Sequence, residues 1–222
     1  MHQIISIEGN IGSGKSTLLK NLKNHYANNE NIVFLKEPVD EWEQIKDDNN
    51  VTMLEKFYAD QERYSFPFQM MAYISRLAIL KETIKNHPNA IIITERSLYT
   101  DKMVFAKMLH NDNKIETINY KIYLKWFDTF ANDFPVHKII YVNAEPEICS
   151  ERIKKRSRLG ESNIPLDYLQ NCHHYHNEML NKENQDCVCH EQLVLDGNID
   201  IYENDGHLEK WIEQIDLFVN DK

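Results

Sequence analysis

The feature that most constrains the fold is a glycine-rich turn between an apolar strand and a helix, in "IISIEGNIGSGKSTLLKNL". The turn, residues 9–16, fits the pattern G-x-x-x-x-G-K-[ST], which lets backbone N–H groups curl around phosphate at the N-terminus of a helix. In such a loop Lys15 is expected to reach the β- and γ-phosphates and Ser16 to ligate Mg²⁺. The turn therefore predicts an α/β fold that handles phosphate. The candidate phosphate-binding residues are Gly9, Asn10, Ile11, Gly12, Ser13, Gly14, Lys15, Ser16 and Thr17.

Five apolar runs, rich in Ile and Val, are spread along the chain. They lie at residues 4–8, 31–37, 90–95, 138–144 and 192–197. Because they lack polar alternation, they indicate strands buried on both faces, as in a parallel sheet. The longer segments between them have helical periodicity, so the order is β-α repeated. We predict one domain over residues 1–222, an α/β P-loop fold with a five-stranded parallel sheet flanked by helices. Ligands of such sheets bind beyond the carboxyl ends of the strands.

Composition and charge exclude several classes of protein. The net charge of −10 argues against broad binding to nucleic acid or to an anionic membrane. No apolar run approaches the roughly 18 residues of a membrane helix, and the first strand begins at residue 2, so no targeting peptide is expected. Four scattered cysteines indicate free thiols in a reducing, cytoplasmic compartment. The cluster "CHHYH" at residues 172–176 raises a metal site as an alternative, although it lacks paired ligand pairs.

A basic cluster stands out in this acidic chain, in "ERIKKRSR". Arg152 and Arg156 are four residues apart and share a helix face. Arginines stabilise the charge of a phosphoryl group in transfer, so we predict an arginine-rich lid over about residues 152–162. The alternatives are a solvated basic helix or a surface for nucleic acid, which the net charge disfavours. The basic residues are Arg152, Lys154, Lys155, Arg156 and Arg158.

Charged residues close two of the predicted strands. Glu37, fixed by Pro38, ends the second run, and Glu95 and Arg96 end the third. At this edge of the sheet a carboxylate is well placed to accept a proton from an attacking hydroxyl. Each group alone is equally compatible with an ordinary ion pair. Two such strand ends beside a phosphate loop favour a catalytic site.

The segment "SFPFQMMAYISRLAIL", residues 65–80, is predicted to form a helix with a polar stripe. Gln69, Ala72 and Arg76 share one face of it, and Asp101 and Phe105 on a later helix could supply a carboxylate and an aromatic wall. A buried amide and guanidinium need partners, because leaving them unpaired costs about 1–3 kcal/mol. An aromatic lining with an amide, an arginine and an aspartate suits a nucleobase, whose edge an amide can pair. A core helix with one snorkelling arginine is the simpler alternative.

The blocks "IEGNIGSGKST", "EPVDEW", "FYADQERYSFPFQMMAYISR", "ERSLYTD" and "RIKKRSRLGESNIPLDYL" follow one another along most of the chain. In this order and spacing the sequence resembles the deoxyribonucleoside kinase family, in its deoxycytidine, deoxyguanosine and deoxyadenosine kinase branch. The resemblance implies a P-loop kinase fold. It also implies transfer of the γ-phosphoryl group of ATP or another nucleoside triphosphate to a deoxynucleoside, with Mg²⁺, in a homodimer.

The resemblance assigns roles to individual residues. Glu37 would be the general base for the deoxyribose 5′-hydroxyl, Arg96 would steady that hydroxyl and the phosphoryl group, and Glu95 would help to place Mg²⁺. Tyr58 and Glu161 would hold the sugar 3′-hydroxyl. The base would be contacted by Gln69 and lined by Trp42, Phe57, Phe68 and Phe105, and the lid arginines would be Arg152, Arg156 and Arg158.

The specificity positions of the family fall on Ala72, Arg76 and Asp101. The resemblance places this set with the deoxycytidine and purine branches. The physical chemistry agrees, since Asp101 can accept from an exocyclic amino group while the 5-methyl of thymine would press on Arg76. Phe57 departs from the Met or Leu of many relatives, which leaves the choice between pyrimidine and purine open. Gly160 departs from the acidic residue of some relatives. Residues 181–191 match the family poorly, so the contacts to the base of the phosphate donor stay open.

Two other functions remain as alternatives. A nucleoside monophosphate kinase of the thymidylate kinase type shares the fold and the lid, but it needs basic residues for the acceptor's phosphate where "EPVDEW" has acids. A non-catalytic nucleotide switch needs neither Glu37 nor Glu95. The sequence therefore favours a deoxynucleoside kinase.

Overall fold

The computed structural model describes residues 2–156, 164–202 and 206–221, and within them the strands form one parallel sheet. The strand order is β2-β3-β1-β4-β5. The predicted α/β fold with five parallel strands is confirmed. The strands are β1 (Gln3–Glu8), β2 (Ile32–Leu35), β3 (Ile91–Glu95), β4 (Lys138–Asn143) and β5 (Gln192–Asp196).

The second strand is shorter than predicted. Lys36 and Glu37 lie beyond its end, because Pro38 has no N–H for the ladder and restricts the backbone of the residue before it. Glu37 therefore leaves the sheet at its carboxyl edge, where its side chain turns into the site.

Helices cover both faces of the sheet, and two of them begin at side-chain caps. Thr52 and Glu55 form a capping box, and the Asp60 side chain accepts a hydrogen bond from the backbone N–H of Arg63. The predicted helix over residues 65–80 is the middle of a much longer one. The helices are α1 (Lys15–His25), α2 (Val39–Trp42), α3 (Met53–Ala59), α4 (Gln61–Asn86), α5 (Leu98–Thr100), a π-helix (Asp101–Ala106), α6 (Lys107–Asn111), α7 (Thr117–Phe130), α8 (Pro146–Arg156), α9 (Leu166–Leu180) and α10 (His207–Asn220).

Apolar side chains from β1 enter cores on opposite faces of the sheet. Ile5 and Ile7 pack in the core that includes residues of α1 and α10, whereas Ile4 packs in the core with α4 and α7. This explains why the strand sequences carry no polar alternation. No helix of the described ranges is long and apolar enough to cross a membrane.

The order of the strands reverses at β1, since β3 lies on one side of it and β4 on the other. A crevice opens at such a point beyond the carboxyl ends of the strands. The phosphate loop, residues 9–16, leaves β1 there. The π-helix Asp101–Ala106 also begins near this edge, and such helices often occur at functional sites.

Candidate active site

A cavity of about 540 Å³ lies at the carboxyl edge of the sheet. It extends from the phosphate loop to a group of aromatic side chains between α3 and α4. All the predicted site residues within the described ranges line it, with the exception of Gly9 and Asn10. Arg158 and Glu161, as well as Gly160, lie outside the described residues.

The phosphate loop depends on glycine at close approaches of the backbone. Gly12 has a φ of +80°, and a Cβ added there would lie 2.7 Å from the carbonyl oxygen of Cys149. Below the loop, the Asn10 side chain donates to the Leu169 carbonyl in α9 at 2.9 Å, and the Asn10 carbonyl accepts from Lys15 Nζ at 2.6 Å. Asn10 therefore joins the loop to α9 and to the Lys15 side chain.

Lys15 is buried at the bottom of the loop. Burial, with the positive charge of Arg96 nearby, lowers the pKa of the Lys15 ammonium to about 7. A bound phosphate would reverse this shift, because an anion favours the charged ammonium. The arrangement therefore suits an anionic ligand in the loop.

Ser16 and Glu95 meet at the end of the loop. The Ser16 hydroxyl donates to Glu95 Oε1 at 2.5 Å, while Glu95 Oε2 is buried and has no hydrogen-bond partner among the described residues. A hydroxyl and a carboxylate are oxygen ligands of the kind that Mg²⁺ prefers, and Mg²⁺ commonly takes its remaining ligands from water and phosphate. The pair is therefore suited to hold Mg²⁺ beside a triphosphate.

Four charged side chains form a cluster between the loop and the aromatic end of the cavity. Arg76 donates to Asp101 Oδ2 and to Glu37 Oε1, both at 3.0 Å, and to the Glu95 carbonyl at 2.8 Å. Arg96 Nε lies 3.5 Å from the same Glu37 oxygen. Arg76 thus uses all three nitrogens of its guanidinium, which holds it in one position.

The pKa values of the two carboxylates in this cluster are shifted in opposite directions. Burial favours the neutral form of Glu37, but the charges of Arg96, Arg76 and Lys15 hold the pKa of this carboxyl below its usual range. Burial raises the pKa of Asp101 to about 6, even though Arg76 opposes the shift. Burial also opposes the charge of Arg76, yet the Asp101 and Glu37 carboxylates hold its pKa above the usual range. Glu37 is therefore ionised at neutral pH.

Arg96 has a left-handed backbone, with a φ of +66°. Its N–H donates to the Ile7 carbonyl at 3.0 Å, and the next N–H, of Ser97, donates to Glu8 Oε1 at 3.0 Å. The Nη1 of Arg96 donates to the Gly9 carbonyl at 2.8 Å, and the guanidinium lies over the Phe105 ring, 4.9 Å from its centroid. The turn after β3 therefore directs this side chain between the phosphate loop and Glu37.

Aromatic rings line the other end of the cavity. Phe57 and Phe68 stack with their centroids 4.5 Å apart, and Trp42 meets Phe68 edge-on at 5.7 Å. Gln69 is buried beside them, and its Oε1 has no hydrogen-bond partner among the described residues. Such an unpaired amide oxygen is costly unless a ligand supplies a donor. This end of the cavity, with Ala72 and Tyr58 also in its wall, suits a flat polar ring.

Arg152 and Arg156, the predicted lid arginines within the described residues, both line the cavity. Arg152 lies in α8, where its Nη1 donates to the carbonyls of Gly197 at 2.7 Å and Ser13 at 3.3 Å and its Nη2 to that of Ile199 at 3.2 Å. Arg152 therefore joins the phosphate loop to the segment after β5. Arg156 lies at the end of α8.

The structure adds lining residues that the sequence reasoning missed. Residues 199–202 follow β5 and, with Trp211, border the phosphate end. The rule that selected Glu37 and Glu95, the carboxyl end of a strand, could have found them. Tyr168, inside the quoted block "IPLDYL", is also in the wall. The remaining additions are Val39, Leu54 and Gly197, and Lys155 of the basic cluster also lines the cavity.

Two residues of the cluster "CHHYH", raised above as an alternative metal site, are part of the buried face of α9. Cys172 and His176 are fully buried in α9, and the described residues include no group of three His, Cys, Asp or Glu side chains that could hold a metal ion.

A parallel sheet with a phosphate loop, an ionised strand-end carboxylate and facing arginines is the arrangement of a P-loop kinase fold. The chain belongs to the deoxynucleoside kinase family, whose pattern it matches over residues 5–220. It is therefore a kinase, a phosphotransferase.

Relatives of known name cover much of the chain. A probable deoxycytidine kinase of Fowlpox virus (strain NVSL) is 32% identical over 223 residues, covering 99% of this chain and 89% of the relative. Thymidine kinase 2, mitochondrial, of Homo sapiens is 31% identical over 212 residues, covering 95% and 74%. Deoxycytidine kinase of Homo sapiens is 36% identical over 196 residues, covering 79% and 74%. Because these names differ in the nucleoside, the substrate preference has to be argued from the site.

Proposed function

We propose that this kinase transfers the γ-phosphoryl group of ATP, or of another nucleoside triphosphate, to the 5′-hydroxyl of a deoxynucleoside in cytoplasmic nucleotide salvage. We further propose that it favours deoxycytidine or a purine deoxynucleoside over thymidine. The observation that carries the proposal is the position of Glu37, an ionised carboxylate between the phosphate loop and the aromatic slot.

Glu37 is the proposed general base. A nucleoside whose base lies in the aromatic end of the cavity, against Phe57 and Phe68, directs its sugar toward Glu37, and the carboxylate accepts the 5′-hydroxyl proton late in the transfer. Because three cations lower its pKa, Glu37 is a weak base. Catalysis therefore depends mainly on positioning and on charge neutralisation.

Cationic groups neutralise the transferred phosphoryl group in this proposal. Lys15 and the backbone of the loop hold the donor phosphates, and Arg96 faces both the loop and Glu37. Ser16 and Glu95 would hold Mg²⁺, which supplies charge stabilisation at the phosphates when bound. The lid would add Arg156 and Arg158, and Arg152 would fix the segment after β5 against the loop.

The base preference is argued from the buried cluster around Arg76. Its three hydrogen bonds prevent it from moving aside for a 5-methyl group. Asp101 has one oxygen occupied by Arg76 and a second that can accept from an exocyclic amino group. Gln69 supplies an unpaired amide oxygen to the same edge of the base. These groups match cytosine, adenine or guanine better than thymine.

The sugar would be held by Tyr58, in the cavity wall, and Glu161. If these two groups hydrogen-bond the 3′-hydroxyl, a deoxynucleoside that carries this hydroxyl would be preferred over an analogue that lacks it.

We also propose a homodimer, and one helix face supports it. Ile118, Ile122, Trp126 and Phe130 recur every four residues on α7 and are 41–61% exposed. Ile74 on the adjacent α4 is 52% exposed. Such a continuous apolar stripe is unusual on a monomer, and two copies of it form an isologous contact.

The test is a steady-state panel of the four deoxynucleosides with ATP, GTP and UTP as donors. The proposal expects multiple turnover, with deoxycytidine or a purine deoxynucleoside giving the highest kcat/KM. Thymidine as the best substrate would refute the preference. Deoxynucleoside monophosphates as the better acceptors would favour the thymidylate kinase alternative, and binding of triphosphate without turnover would favour the switch.

A further inference from the structure

The side chain of His176 is fully buried in α9 and contacts Arg96. Its Nδ1 lies 2.6 Å from the carbonyl oxygen of Cys172, one turn earlier in the same helix. Its Nε2 lies 3.3 Å from Nη1 of Arg96. His176 itself does not line the cavity.

The partners of the ring determine which nitrogen carries the proton. A carbonyl oxygen only accepts, so Nδ1 must be the donor toward Cys172. Arg96 only donates, so Nε2 must present its lone pair to Nη1. The two contacts together require a neutral imidazole with its proton on Nδ1, a single tautomer selected by the second hydrogen bond.

The surroundings of the ring favour the same state. Tyr141 stacks on it, with centroids 6.3 Å apart, and Phe105 meets it edge-on at 6.4 Å. Burial, with the charge of Arg96, holds the pKa of His176 well below its usual range. The same Phe105 ring lies beneath the guanidinium of Arg96. Arg96 is thus enclosed by His176, Phe105 and the Gly9 carbonyl.

These contacts set the direction of the Arg96 guanidinium. Its Nη1 is shared between Gly9 and His176, while its Nε is 3.5 Å from Glu37. Without an acceptor on the His176 side, only the Gly9 carbonyl among these contacts opposes the attraction of Glu37. A closer pair would draw Arg96 away from the loop and weaken Glu37 further as a base.

We propose that His176 is a positioning residue of this kinase, whose neutral imidazole accepts a hydrogen bond from Arg96 and holds its guanidinium toward the transferred phosphoryl group. This inference rests on the proposed function, in which Arg96 acts in phosphoryl transfer.

The first test compares two substitutions. His176→Phe keeps a flat ring between Tyr141 and Phe105 but removes the acceptor, and we expect kcat to fall about 10- to 100-fold with the KM for the deoxynucleoside within about twofold. His176→Gln places an amide oxygen near the position of Nε2 and should restore most of kcat. As a matched control, Tyr141→Phe removes the hydroxyl that bonds Asn177 and keeps the ring beside His176, so kcat should stay near that of the wild type.

The second test asks whether His176 acts through Arg96. In an Arg96→Lys background, where Nη1 is absent, His176→Phe should lower kcat by less than about twofold. An equal loss in both backgrounds would show that His176 acts on packing and not on Arg96, and would overturn the inference.

A spectroscopic measurement on the wild-type protein does not depend on the folding of any variant. Nitrogen-15 spectra of the histidine rings should show His176 neutral at pH 7, with its proton on Nδ1. An imidazolium, or a proton on Nε2, would overturn the inference. Failure of the proposed function would be distinct, because the wild-type protein would then phosphorylate none of the four deoxynucleosides.

Discussion

At the residue scale, Glu37 and Asp101 have opposite pKa shifts although Arg76 bonds both. Glu37 faces Arg96 and Lys15 as well, so positive charge outweighs burial. Asp101 is more deeply buried, pairs with Arg76 and has the like charge of Glu37 nearby, so burial prevails. Two carboxylates with separated pKa values are typical of an active site in which each has its own role. In the proposed reaction one carboxylate accepts a proton from the sugar and the other reads the base.

A substitution of Glu37 tests its role as the base. Glu37→Gln keeps the size of the side chain and a hydrogen bond to Arg76 but cannot take up the proton. We expect the deoxynucleoside Kd to change by less than about threefold and kcat to fall by about 10²- to 10⁴-fold. The measurements are equilibrium binding and steady-state turnover. An unchanged kcat would remove Glu37 from the mechanism.

The raised pKa of Asp101 predicts an acidic limit to activity. As the pH falls through about 6, Asp101 takes up a proton, and the neutral carboxyl is a weaker acceptor of a hydrogen bond from an exocyclic amino group. Arg76, Arg96 and Glu37 face it; Arg76 and Glu37 keep their charge in this range, since the pKa of Arg76 is raised and that of Glu37 is lowered. We expect kcat/KM for deoxycytidine to be about tenfold lower at pH 5 than at pH 7.

The control for this pH dependence is Asp101→Asn. The variant should have a lower kcat/KM at pH 7, and its rate should no longer fall with an apparent pKa near 6. If the same acidic limb persists in the variant, another group is responsible for it.

At the scale of elements, the sequence predicted those parts of the site that lie next to a local pattern. The phosphate loop, Glu37 and Glu95 each adjoin a short apolar run, so the geometry of parallel strands brings them to one edge. The full length of α4 was not predicted, because it is buried on more than one side. Gln69 and Arg76 face the site, while Tyr73 and Leu77 pack in another core. A helix of this kind lacks a clear polar face that would reveal its ends.

Contacts made by α9 and by the segment after β5 could not be predicted. His176 meets Arg96 across 80 residues of chain, and Asn10 bonds Leu169 across 159. No periodicity encodes a pairing between elements so far apart. The sequence also could not predict which carbonyls accept from Arg152, because every loop residue carries a carbonyl. The sequence therefore predicted Arg152 as a lid arginine without its contacts to the segment after β5.

The phosphate loop permits a prediction at Gly12. Alanine there would combine a left-handed backbone, φ +80°, with a Cβ 2.7 Å from the backbone oxygen of Cys149 in α8. The loop must then shift away from α8, and we expect the Kd for the nucleoside triphosphate to rise at least tenfold, or about 1.4 kcal/mol. Titration calorimetry measures the change.

Gly206→Ala is a matched control for backbone strain. Its φ is +76°, close to that of Gly12, but a Cβ there meets no atom within 4 Å. This variant should lose about 1 kcal/mol of folding stability and keep the triphosphate Kd of the wild type. Equal losses of affinity in both variants would refute the role of the contact with Cys149.

At the scale of the whole molecule, α9 contacts both the phosphate loop and the arginine that the proposed reaction places beside the acceptor. Its Leu169 carbonyl holds Asn10 behind the phosphate loop, and its His176 holds Arg96 beside the acceptor. Tyr168 in the same helix lies in the cavity wall. One helix thus contacts the donor side, the acceptor side and the arginine between them, so a shift of α9 would change all three together.

The last prediction concerns the assembly of two copies. Trp126 stacks on Phe130 within the apolar stripe of α7, and its side chain is 47% exposed. A glutamate at this position would bury two like charges against each other across a two-fold interface, which is strongly unfavourable. We expect sedimentation velocity to show a dimer for the wild type and a monomer for Trp126→Glu at the same concentration. Leu217→Glu on α10, an apolar residue that is 76% exposed, is the control and should remain a dimer; a monomeric wild-type protein would refute the homodimer.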